Sequence, residues 1–206
     1  MTISLSDAGK RFNRDWIFRH FNYCFEAGKS YAITGPNGSG KSTLLQAISG
    51  ATMINEGTIQ YAAGSKQVAI ESVYKDISIA APYLEVVEEM TLREFLDFHR
   101  GFKPFLAGIT TDSIITVLGL ENAVDKQIRY YSSGMKQRVK MAQCIFSDTA
   151  TVLLDEPCTN LDAAGIELYH SLIDAYCKER LVVVSSNDPI EYKFCGEKIN
   201  MTDYKI

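Results

Sequence analysis

The chain has 206 residues, of which 46% are hydrophobic and 22% are charged, so it has the length and composition of one soluble globular domain. The formal net charge of −4 gives no indication of a nucleic-acid partner, although it leaves open a local basic face. The five cysteines form no C-x-x-C pair and no apolar run is long enough to span a membrane, which argues against disulfide, zinc and transmembrane interpretations.

The first third of the chain has the alternation of apolar and polar residues that is typical of β-strands. Strands are predicted over residues 3–5, 16–18, 21–25 and 30–34, and further along over 57–61, 68–70 and 77–80. Gly64 supplies a turn between two of the later strands. We therefore expect this part of the chain to form sheets, interrupted by one helix.

The segment GPNGSGKST follows the strand predicted over residues 30–34 and precedes a helix predicted over 43–48. It fits the pattern G-x-x-x-x-G-K-[ST], in which glycines allow a tight turn whose backbone N–H groups converge on phosphate oxygens. Lys41 supplies a positive charge for the β- and γ-phosphates, and Ser42 offers a hydroxyl to Mg²⁺. The pattern predicts a nucleoside triphosphate site formed by Gly35, Pro36, Asn37, Gly38, Ser39, Gly40, Lys41, Ser42 and Thr43.

The pattern becomes helical from residue 82 to residue 146, with helices predicted over 92–98, 110–118 and 133–145. Thr91 is predicted to cap the first of these helices, with Glu94 in the position of a capping box. The final third alternates again, with strands predicted over 151–154, 181–185 and, at a sheet edge, 199–201, and a helix over 163–176. This alternation around a phosphate loop predicts an α/β fold with a mostly parallel sheet and a helical insertion.

Two acidic residues end the strand predicted over residues 151–154. Ligands of parallel α/β sheets bind outside the carboxyl ends of the strands, so Asp155 and Glu156 are expected to face the phosphates. Asp155 is predicted to hold Mg²⁺ through water, and Glu156 to orient or deprotonate the water that attacks the γ-phosphate. An apolar run followed by two acids is a weak pattern alone, but its combination with the phosphate loop is specific.

A third segment, Ser132, Ser133 and Gly134, opens the helix predicted over residues 133–145. Hydroxyls and free N–H groups at the positive end of a helix can bind an anion. On these residues alone, an ordinary helix cap is the better interpretation.

In this order the three segments resemble those of the ATP-binding subunit of an ABC transporter, along essentially the whole chain. GPNGSGKST is similar to Walker A, TVLLDEP to Walker B and YSSGMKQR to the signature. Tyr131, Ser133 and Met135 depart from the commoner signature L-S-G-G-Q. Ser132 and Gly134, the two positions that contact the γ-phosphate in the family, are retained.

The resemblance implies one domain over residues 1–206, with an α/β P-loop NTPase core (about 1–81 and 147–206), antiparallel strands near the N-terminus and a helical signature subdomain (82–146). Asp162 matches the acid of the family's D-loop. In the family, the signature of one subunit closes over the phosphate loop of another, so a homodimer or heterodimer enclosing two ATP molecules is implied.

The family's adenine-stacking aromatic corresponds to Phe12, with Trp16 as the alternative. Two departures from the family pattern concern the site. Asn187 stands where a histidine usually contacts the γ-phosphate, and an amide can donate a hydrogen bond but cannot carry a positive charge. The glutamine expected after residue 79 is absent, and Ala81 or Pro82 takes its place.

The resemblance implies Mg-ATP hydrolysis that powers transport through a separate transmembrane permease subunit. The chain would lie in the cytoplasm, peripheral to the inner face of a membrane, without a nucleic-acid partner. One alternative is an ATP-dependent dimerisation or regulatory module with weak hydrolysis, because Asn187 weakens the site. A second alternative is a soluble ABC ATPase that is not linked to transport.

Overall fold

A computed structural model describes residues 1–205 of the chain. The strands are β1 (Thr2–Phe12), β2 (Asp15–Phe25), β3 (Ser30–Thr34), β4 (Glu56–Ala63), β5 (Lys66–Val68), β6 (Ile77–Ala80), β7 (Thr151–Asp155), β8 (Leu181–Ser185) and β9 (Glu197–Asn200). The α-helices are α1 (Lys41–Ile48), α2 (Leu92–Phe102), α3 (Thr111–Leu118), α4 (Ser133–Ile145), α5 (Ala163–Tyr176) and α6 (Pro189–Tyr192). Short 3₁₀ turns cover Ile70–Lys75, Glu121–Ala123, Ile128–Tyr130 and Met201–Tyr204.

The structure divides the chain into two compact units. The core unit contains Met1–Ile79, Thr149–Glu156 and the chain from Glu179 onward, and the helical unit contains Ala80–Asp148 and Pro157–Lys178. The predicted subdivision differs over Pro157–Lys178, which it assigned to the core. Within the helical unit the ring of Tyr176 in α5 packs on that of Phe146 at the end of α4, with centroids 4.9 Å apart, which accounts for the difference.

A parallel sheet with the strand order β6-β7-β8-β3-β9 is central to the core unit. Parallel ladders join β7 to β8, β8 to β3 and β3 to β9. Neighbours in this sheet are far apart in sequence, because each parallel connection must cross over. The carboxyl ends of β3, β7 and β8 therefore bring the phosphate loop, Asp155 and the residues after Ser185 to one edge, as the α/β prediction requires.

The predicted strands of the N-terminal region form an antiparallel sheet with the order β2-β1-β4-β5. The strands predicted over 16–18 and 21–25 are one strand, because β2 continues through a bulge at His20, whose φ is 54°. The strand predicted over 68–70 was wrong at its end, since β5 stops at Val68 and Ile70 begins a 3₁₀ turn.

Helix α1 packs on one face of the parallel sheet. The shared buried cluster includes, from β3, α1, β7 and β8, the residues Ile33, Leu44, Leu45, Ile48, Leu153 and Val183. Side chains two residues apart on a strand share a face, so Asp155 and Ser185 lie on the α1 face as well. The hydrophobic packing thus places the polar ends of β7 and β8 beneath the N-terminus of α1.

The helical unit follows the predicted caps. Thr91 and Glu94 form a complete capping box at the start of α2, which runs to Phe102, beyond the predicted residue 98. Thr110 caps α3, and Gly119 ends it in a left-handed conformation with φ of 66°. Across residues 1–205, no helix combines the length and the apolar character that a membrane crossing requires.

Candidate nucleotide-binding site

The phosphate loop joins β3 to α1 and depends on glycine at three positions. Gly35, Gly38 and Gly40 have φ values of 139°, 78° and 99°, a region that favours glycine. A Cβ at Gly35 would lie 2.8 Å from Ser39 Oγ, and one at Gly40 would lie 2.4 Å from Ile17 Cγ2. A side chain at either position would therefore strain the backbone and clash with a neighbour.

Helix α1 begins at Lys41, two residues before the predicted start at Thr43. Its N-cap, Gly40, offers no side-chain hydrogen bond, and no acidic residue lies in the first turn. The positive end of the helix thus meets neither a capping side chain nor a carboxylate of its own first turn. This arrangement suits a phosphate at the helix N-terminus.

Lys41 is buried, and its Nζ donates to backbone carbonyls of its own loop. The distances are 2.8 Å to the oxygen of Gly35 and 3.5 Å to that of Pro36. A buried ammonium group is stable only when oxygen atoms replace its hydration, and phosphate oxygens could replace these carbonyls. The side chain is therefore already held at the loop in which it is predicted to act.

A cavity in the core unit gathers most of the predicted phosphate site. Its walls are formed by Ile17, Asn37, Gly38, Gly40, Lys41, Ser42, Thr43 and Glu156. The structure thus brings the predicted Walker A residues and the predicted catalytic glutamate, which are more than a hundred positions apart in sequence, to one surface.

Asp155 is only 2% exposed, and its Oδ1 has no hydrogen-bond partner among the residues that the structure describes. Two further buried hydroxyls, those of Ser39 and Ser185, share this property. An unsatisfied buried polar atom costs about 1–3 kcal/mol, so a ligand or water that bonded to it would stabilise the site. Carboxylate and hydroxyl oxygens together with water are the ligands that Mg²⁺ prefers, and Asp155 and Ser42 fit such an ion.

Glu156 follows β7 in a left-handed conformation, with φ of 46°. Its backbone N–H donates to the oxygen of Ser185 at 2.9 Å, which holds the turn against β8. A non-glycine residue in this region costs about 1–3 kcal/mol, and such strain concentrates at functional sites. Glu156 thereby forms part of the wall of the phosphate-loop cavity.

Asn187 lies in the segment after β8 and contacts the phosphate loop directly. Its Oδ1 accepts a hydrogen bond from the N–H of Gly35 at 3.3 Å, and its Nδ2 donates to Asn37 Oδ1 at 3.0 Å. The sequence predicted a contact to the γ-phosphate and not these bonds to the loop. The order of the parallel strands, in which β8 lies beside β3, makes them possible.

Phe12 and Trp16 have different surroundings at the hairpin between β1 and β2. The ring of Phe12 is 49% exposed, with Lys10 Nζ 4.8 Å from its centroid. The ring of Trp16 is packed against the guanidinium groups of Arg11 and Arg19, at 5.5 and 4.6 Å. Phe12 therefore has the more accessible ring for a base, although neither aromatic lines the phosphate-loop cavity, and its stacking role stays a prediction.

The signature residues lie in the helical unit, at the start of α4. Ser132 is the N-cap, and its Oγ accepts from the N–H of Met135 at 3.2 Å. A cavity of this unit is lined by the predicted residues Ser132, Ser133, Gly134 and Asp162, together with Arg138 and others. The structure thus gathers the predicted signature and D-loop residues at one surface.

Asp162 caps α5 and also forms an ion pair. Its Oδ1 accepts from the N–H of Gly165 at 2.8 Å and from Arg138 Nη2 at 3.2 Å. The backbone bond from Gly165 and the nearby charge of Arg138 hold the pKa of Asp162 below its ordinary value. Arg138 belongs to the signature segment, but its pairing with Asp162 was not predicted from the sequence.

Gly134 approaches the segment before α5 closely. A Cβ there would lie 3.0 Å from the carbonyl oxygen of Asn160, which is tighter than ordinary contact. The signature glycine and the D-loop are therefore in contact within the helical unit.

Ala80, the last residue of β6, and Ala81, which follows it, are buried, at 3% and 2% exposure. The carbonyl oxygen of Pro82 accepts a hydrogen bond from Lys140 Nζ at 3.3 Å. The position expected to carry a glutamine is thus occupied by a buried alanine or by a proline fixed to α4.

The parallel sheet, the glycine loop before α1 and the two acids at the carboxyl end of β7 are those of a P-loop NTPase core. The family model described as ABC transporter matches residues 18–159. The chain is 32% identical over 177 residues to an uncharacterised ABC transporter ATP-binding protein, YybJ, of Bacillus subtilis (strain 168), covering 83% of this chain and 78% of that protein. The chain belongs to the ABC transporter family, as an ATP-binding subunit, and the predicted resemblance is confirmed.

A second relative is the cytochrome c biogenesis ATP-binding export protein CcmA of Rhizobium etli. It is 28% identical to this chain over 209 residues, and the alignment covers 99% of this chain and 96% of that protein. Among solved structures, an ABC transporter ATP-binding protein from Pyrococcus furiosus superposes with a TM-score of 0.83 at 20% identity, with both chains fully covered. The cassette MJ0796 in a dimeric post-hydrolysis state with ADP and Pi gives 0.81 at 20% identity, covering 96% of this chain and 93% of that chain. These superpositions confirm the predicted fold.

Proposed function

We propose that the chain binds Mg-ATP and hydrolyses it to drive transport through a separate transmembrane permease subunit. The observation that carries the proposal is the phosphate-loop cavity, which is lined both by Lys41, a buried residue, and by Glu156. Beside it, a buried carboxylate oxygen of Asp155 lacks a partner among the described residues. These groups are suited to bind a phosphate chain and a divalent cation.

Phosphates would bind at the N-terminus of α1 through backbone N–H groups of the loop between Asn37 and Thr43. Lys41 Nζ would exchange the carbonyl oxygens of Gly35 and Pro36 for β- and γ-phosphate oxygens. Ser42, and Asp155 through water, would hold Mg²⁺, which would supply positive charge to the phosphate oxygens. Phe12 would stack on the adenine.

Hydrolysis follows from the position of Glu156. Its carboxylate would accept a proton from a water molecule while the water oxygen attacks the γ-phosphorus in line, and the bond to the β-phosphate oxygen breaks. ATP and water thereby become ADP and inorganic phosphate. The turn and the backbone bond to Ser185 fix the main chain of Glu156, from which its carboxylate would reach the water.

The signature residues would act on the ATP of a second subunit. Ser132 and Gly134 are exposed or partly exposed at the start of α4, and Asp162 shares their cavity. In the homodimer or heterodimer, this surface would cover the γ-phosphate that the other subunit's loop holds. A solved neighbour of the same fold is described as a dimeric ABC transporter cassette, which supports the proposal by analogy.

Transport is supported by the functions of relatives. These include a cytochrome c biogenesis ATP-binding export protein and the lantibiotic transport ATP-binding protein SrtF of Streptococcus pyogenes. The chain would act in the cytoplasm on the inner face of a membrane, bound to its permease. Co-purification with the permease produced from the same operon or genome region, and ATPase stimulation by it, would test this coupling.

A second candidate function is an ATP-dependent dimerisation or regulatory module with weak hydrolysis. The observation that favours it is Asn187, a neutral amide that is bonded to the loop at the position of the family's histidine. A soluble ATPase not linked to transport is the third candidate, and loss of permease binding in the experiment above would favour it.

Single-turnover hydrolysis separates an ATPase from a binding module. We expect Glu156→Gln to lower the rate by at least about 100-fold, because general-base catalysis contributes 10²–10⁴-fold, while ATP still binds. Glu71→Gln changes an exposed carboxylate outside the site and serves as the control. Unchanged hydrolysis in Glu156→Gln would contradict the assignment of the general base.

The same variant tests the dimer, since it retains ATP. Gel filtration of Glu156→Gln with Mg-ATP should show a dimer that is lost when ATP is replaced by ADP. A strictly monomeric protein at saturating ATP would argue against closure of two copies and would turn the search to a second, related subunit.

A further inference from the structure

The backbone of Gly35 is held by side chains on both sides of its Cα. Its N–H donates to Asn187 Oδ1 at 3.3 Å, and its carbonyl oxygen accepts from Lys41 Nζ at 2.8 Å. Asn187 also reaches Asn37, whose Oδ1 accepts from Nδ2 at 3.0 Å. One side chain after β8 therefore joins the first and third residues of the loop and is linked through Gly35 to Lys41.

The backbone that carries Asn187 is itself fixed on both sides. The N–H of Ser186 donates to the oxygen of Ile33 in β3 at 3.1 Å. On the other side, Asp188 N–H donates to Ser186 Oγ at 2.9 Å, and Asp188 Oδ1 accepts from the N–H of Ile190 at the start of α6, also at 2.9 Å. The two bonds of Asn187 are thus anchored to the sheet rather than to a free loop.

The phosphate loop, which the two bonds of Asn187 hold, loses much conformational entropy when it becomes ordered. It contains three glycines with positive φ, and glycine loses more conformational freedom on ordering than any other residue. Contacts that order the loop before a nucleotide arrives leave less of that entropy to be lost on binding. Any nucleotide with phosphates in the loop would benefit, whether or not it has a γ-phosphate.

We propose that Asn187 is a positioning residue that pre-shapes the phosphate loop through Gly35 and Asn37. This role, called the Asn187 brace below, deepens the proposed ATP binding and rests on it. It differs from the contact to the γ-phosphate that the position of Asn187 predicts. A brace affects ADP and ATP alike, whereas a γ-phosphate contact affects ATP alone.

The test is a double-mutant cycle on nucleotide affinity. Wild type, Asn187→Ala, Asn37→Ala and the double variant are titrated calorimetrically with ADP and with ATP, in the presence of Mg²⁺. We expect Asn187→Ala to weaken both nucleotides by a similar factor of about 3 to 10, the range that one or two ordinary hydrogen bonds provide. Asn37→Ala should weaken the affinity for both nucleotides less than Asn187→Ala does. In the double variant it should cause no further loss of affinity beyond that of Asn187→Ala.

Asn200→Ala is the matched control. It removes an amide at the end of β9, on the other side of β3, where Asn200 Oδ1 accepts from Thr202 N–H at 3.1 Å. Its nucleotide affinity should equal that of wild type. Hydrogen exchange at the Gly35 amide gives a reading without nucleotide: exchange should accelerate in Asn187→Ala and stay unchanged in Asn200→Ala.

An unchanged affinity for ADP together with a weakened affinity for ATP in Asn187→Ala would overturn the brace and favour the γ-phosphate contact. Independent, additive effects of Asn187→Ala and Asn37→Ala would also overturn it. If Asn187→Ala does not fold, Asn37→Ala alone must still weaken ADP and ATP equally. Failure of the wild type to bind either nucleotide would instead refute the proposed function itself.

Discussion

The two candidate surfaces of this chain differ in how far their polar groups are already satisfied. In the core unit, Asp155, Ser39 and Ser185 carry buried oxygen atoms without partners among the described residues, and α1 lacks a capping side chain. In the helical unit, Ser132 already bonds Met135, and Asp162 already bonds Gly165 and Arg138.

This difference has a thermodynamic meaning. A ligand in the core unit can supply hydrogen bonds that the folded chain lacks, so its binding adds hydrogen bonds while breaking few that already exist within the chain. A ligand on the signature surface competes with local bonds and with water on an exposed face. We therefore expect the phosphate loop to set nucleotide affinity, and the signature to add the smaller energy with which a second subunit closes.

The largest effect is expected from Lys41→Met, which removes the charge from the buried loop site. ADP affinity of the isolated chain should fall by about 10- to 100-fold, because a hydrogen bond to a charged group contributes about 1.5–3 kcal/mol. Titration calorimetry with ADP measures it. Lys66→Met removes an exposed lysine of β5 and should bind ADP as wild type does. Equal affinities in all three proteins would place the nucleotide elsewhere.

An intermediate effect is expected from Ser185→Ala. Ser185 is paired in register with Asp155 on the α1 face, and both have an unpartnered buried oxygen in the part of the chain that the structure describes. If they share a water molecule bound to Mg²⁺, the Mg²⁺ concentration needed for half-maximal ATP binding should rise about threefold. Mn²⁺ binding followed by electron paramagnetic resonance gives a second reading.

Thr151→Val is the matched control for this prediction. Thr151 lies on the same face at the opposite end of β7, and its buried Oγ1 also lacks a partner among residues 1–205. Neither variant should lower thermal stability, because each removes a hydroxyl that makes no bond. A Mg²⁺ requirement that rises equally in both variants would show a general packing effect and not a role at the metal.

The smallest effect is expected at Asp162, where removal of a satisfied group should cost stability. Asp162→Ala loses both the cap of α5 and the ion pair, and its melting temperature should fall by a few degrees. Asp162→Asn keeps a good capping oxygen and should fall less. Because the folded pKa of Asp162 is depressed, its contribution is present above its ordinary pKa of 3.8 and is lost as the pH falls below that value through the folded pKa.

Thermal unfolding monitored by circular dichroism at neutral and acidic pH provides the measurement. The difference between wild type and Asp162→Asn should therefore narrow at the acidic pH. A difference that stays constant would mean that the ion pair with Arg138 does not contribute.

Rules that act over a few residues predicted most of the elements. The capping box of Thr91 and Glu94, the end of α3 at Gly119 and the full extent of α5 were confirmed, because each depends on neighbouring residues in sequence. The errors also have local causes. Apolar Ile70 resembles a strand residue but opens a 3₁₀ turn, and the bulge at His20 hides the continuity of β2.

The candidate sites were predictable as motifs but not as contacts. The bond from Asn187 to Gly35 requires β8 to lie beside β3, and the pairing of Asp155 with Ser185 requires a particular register between β7 and β8. The pair of Arg138 and Asp162 requires α4 and α5 to be neighbours. These contacts come from crossover connections between distant segments, which periodicity and spacing do not determine.

The missing side chain of Gly40 has a consequence for nucleotide selection. Ile17 Cγ2 lies only 2.4 Å from the place that a Cβ at Gly40 would take, so β2 packs directly against the start of α1. Phe12 ends β1, at the hairpin that leads into β2. If Phe12 stacks on the base, as proposed, a ligand needs both a base and phosphates to contact the two places, and inorganic triphosphate should then bind more weakly than ATP.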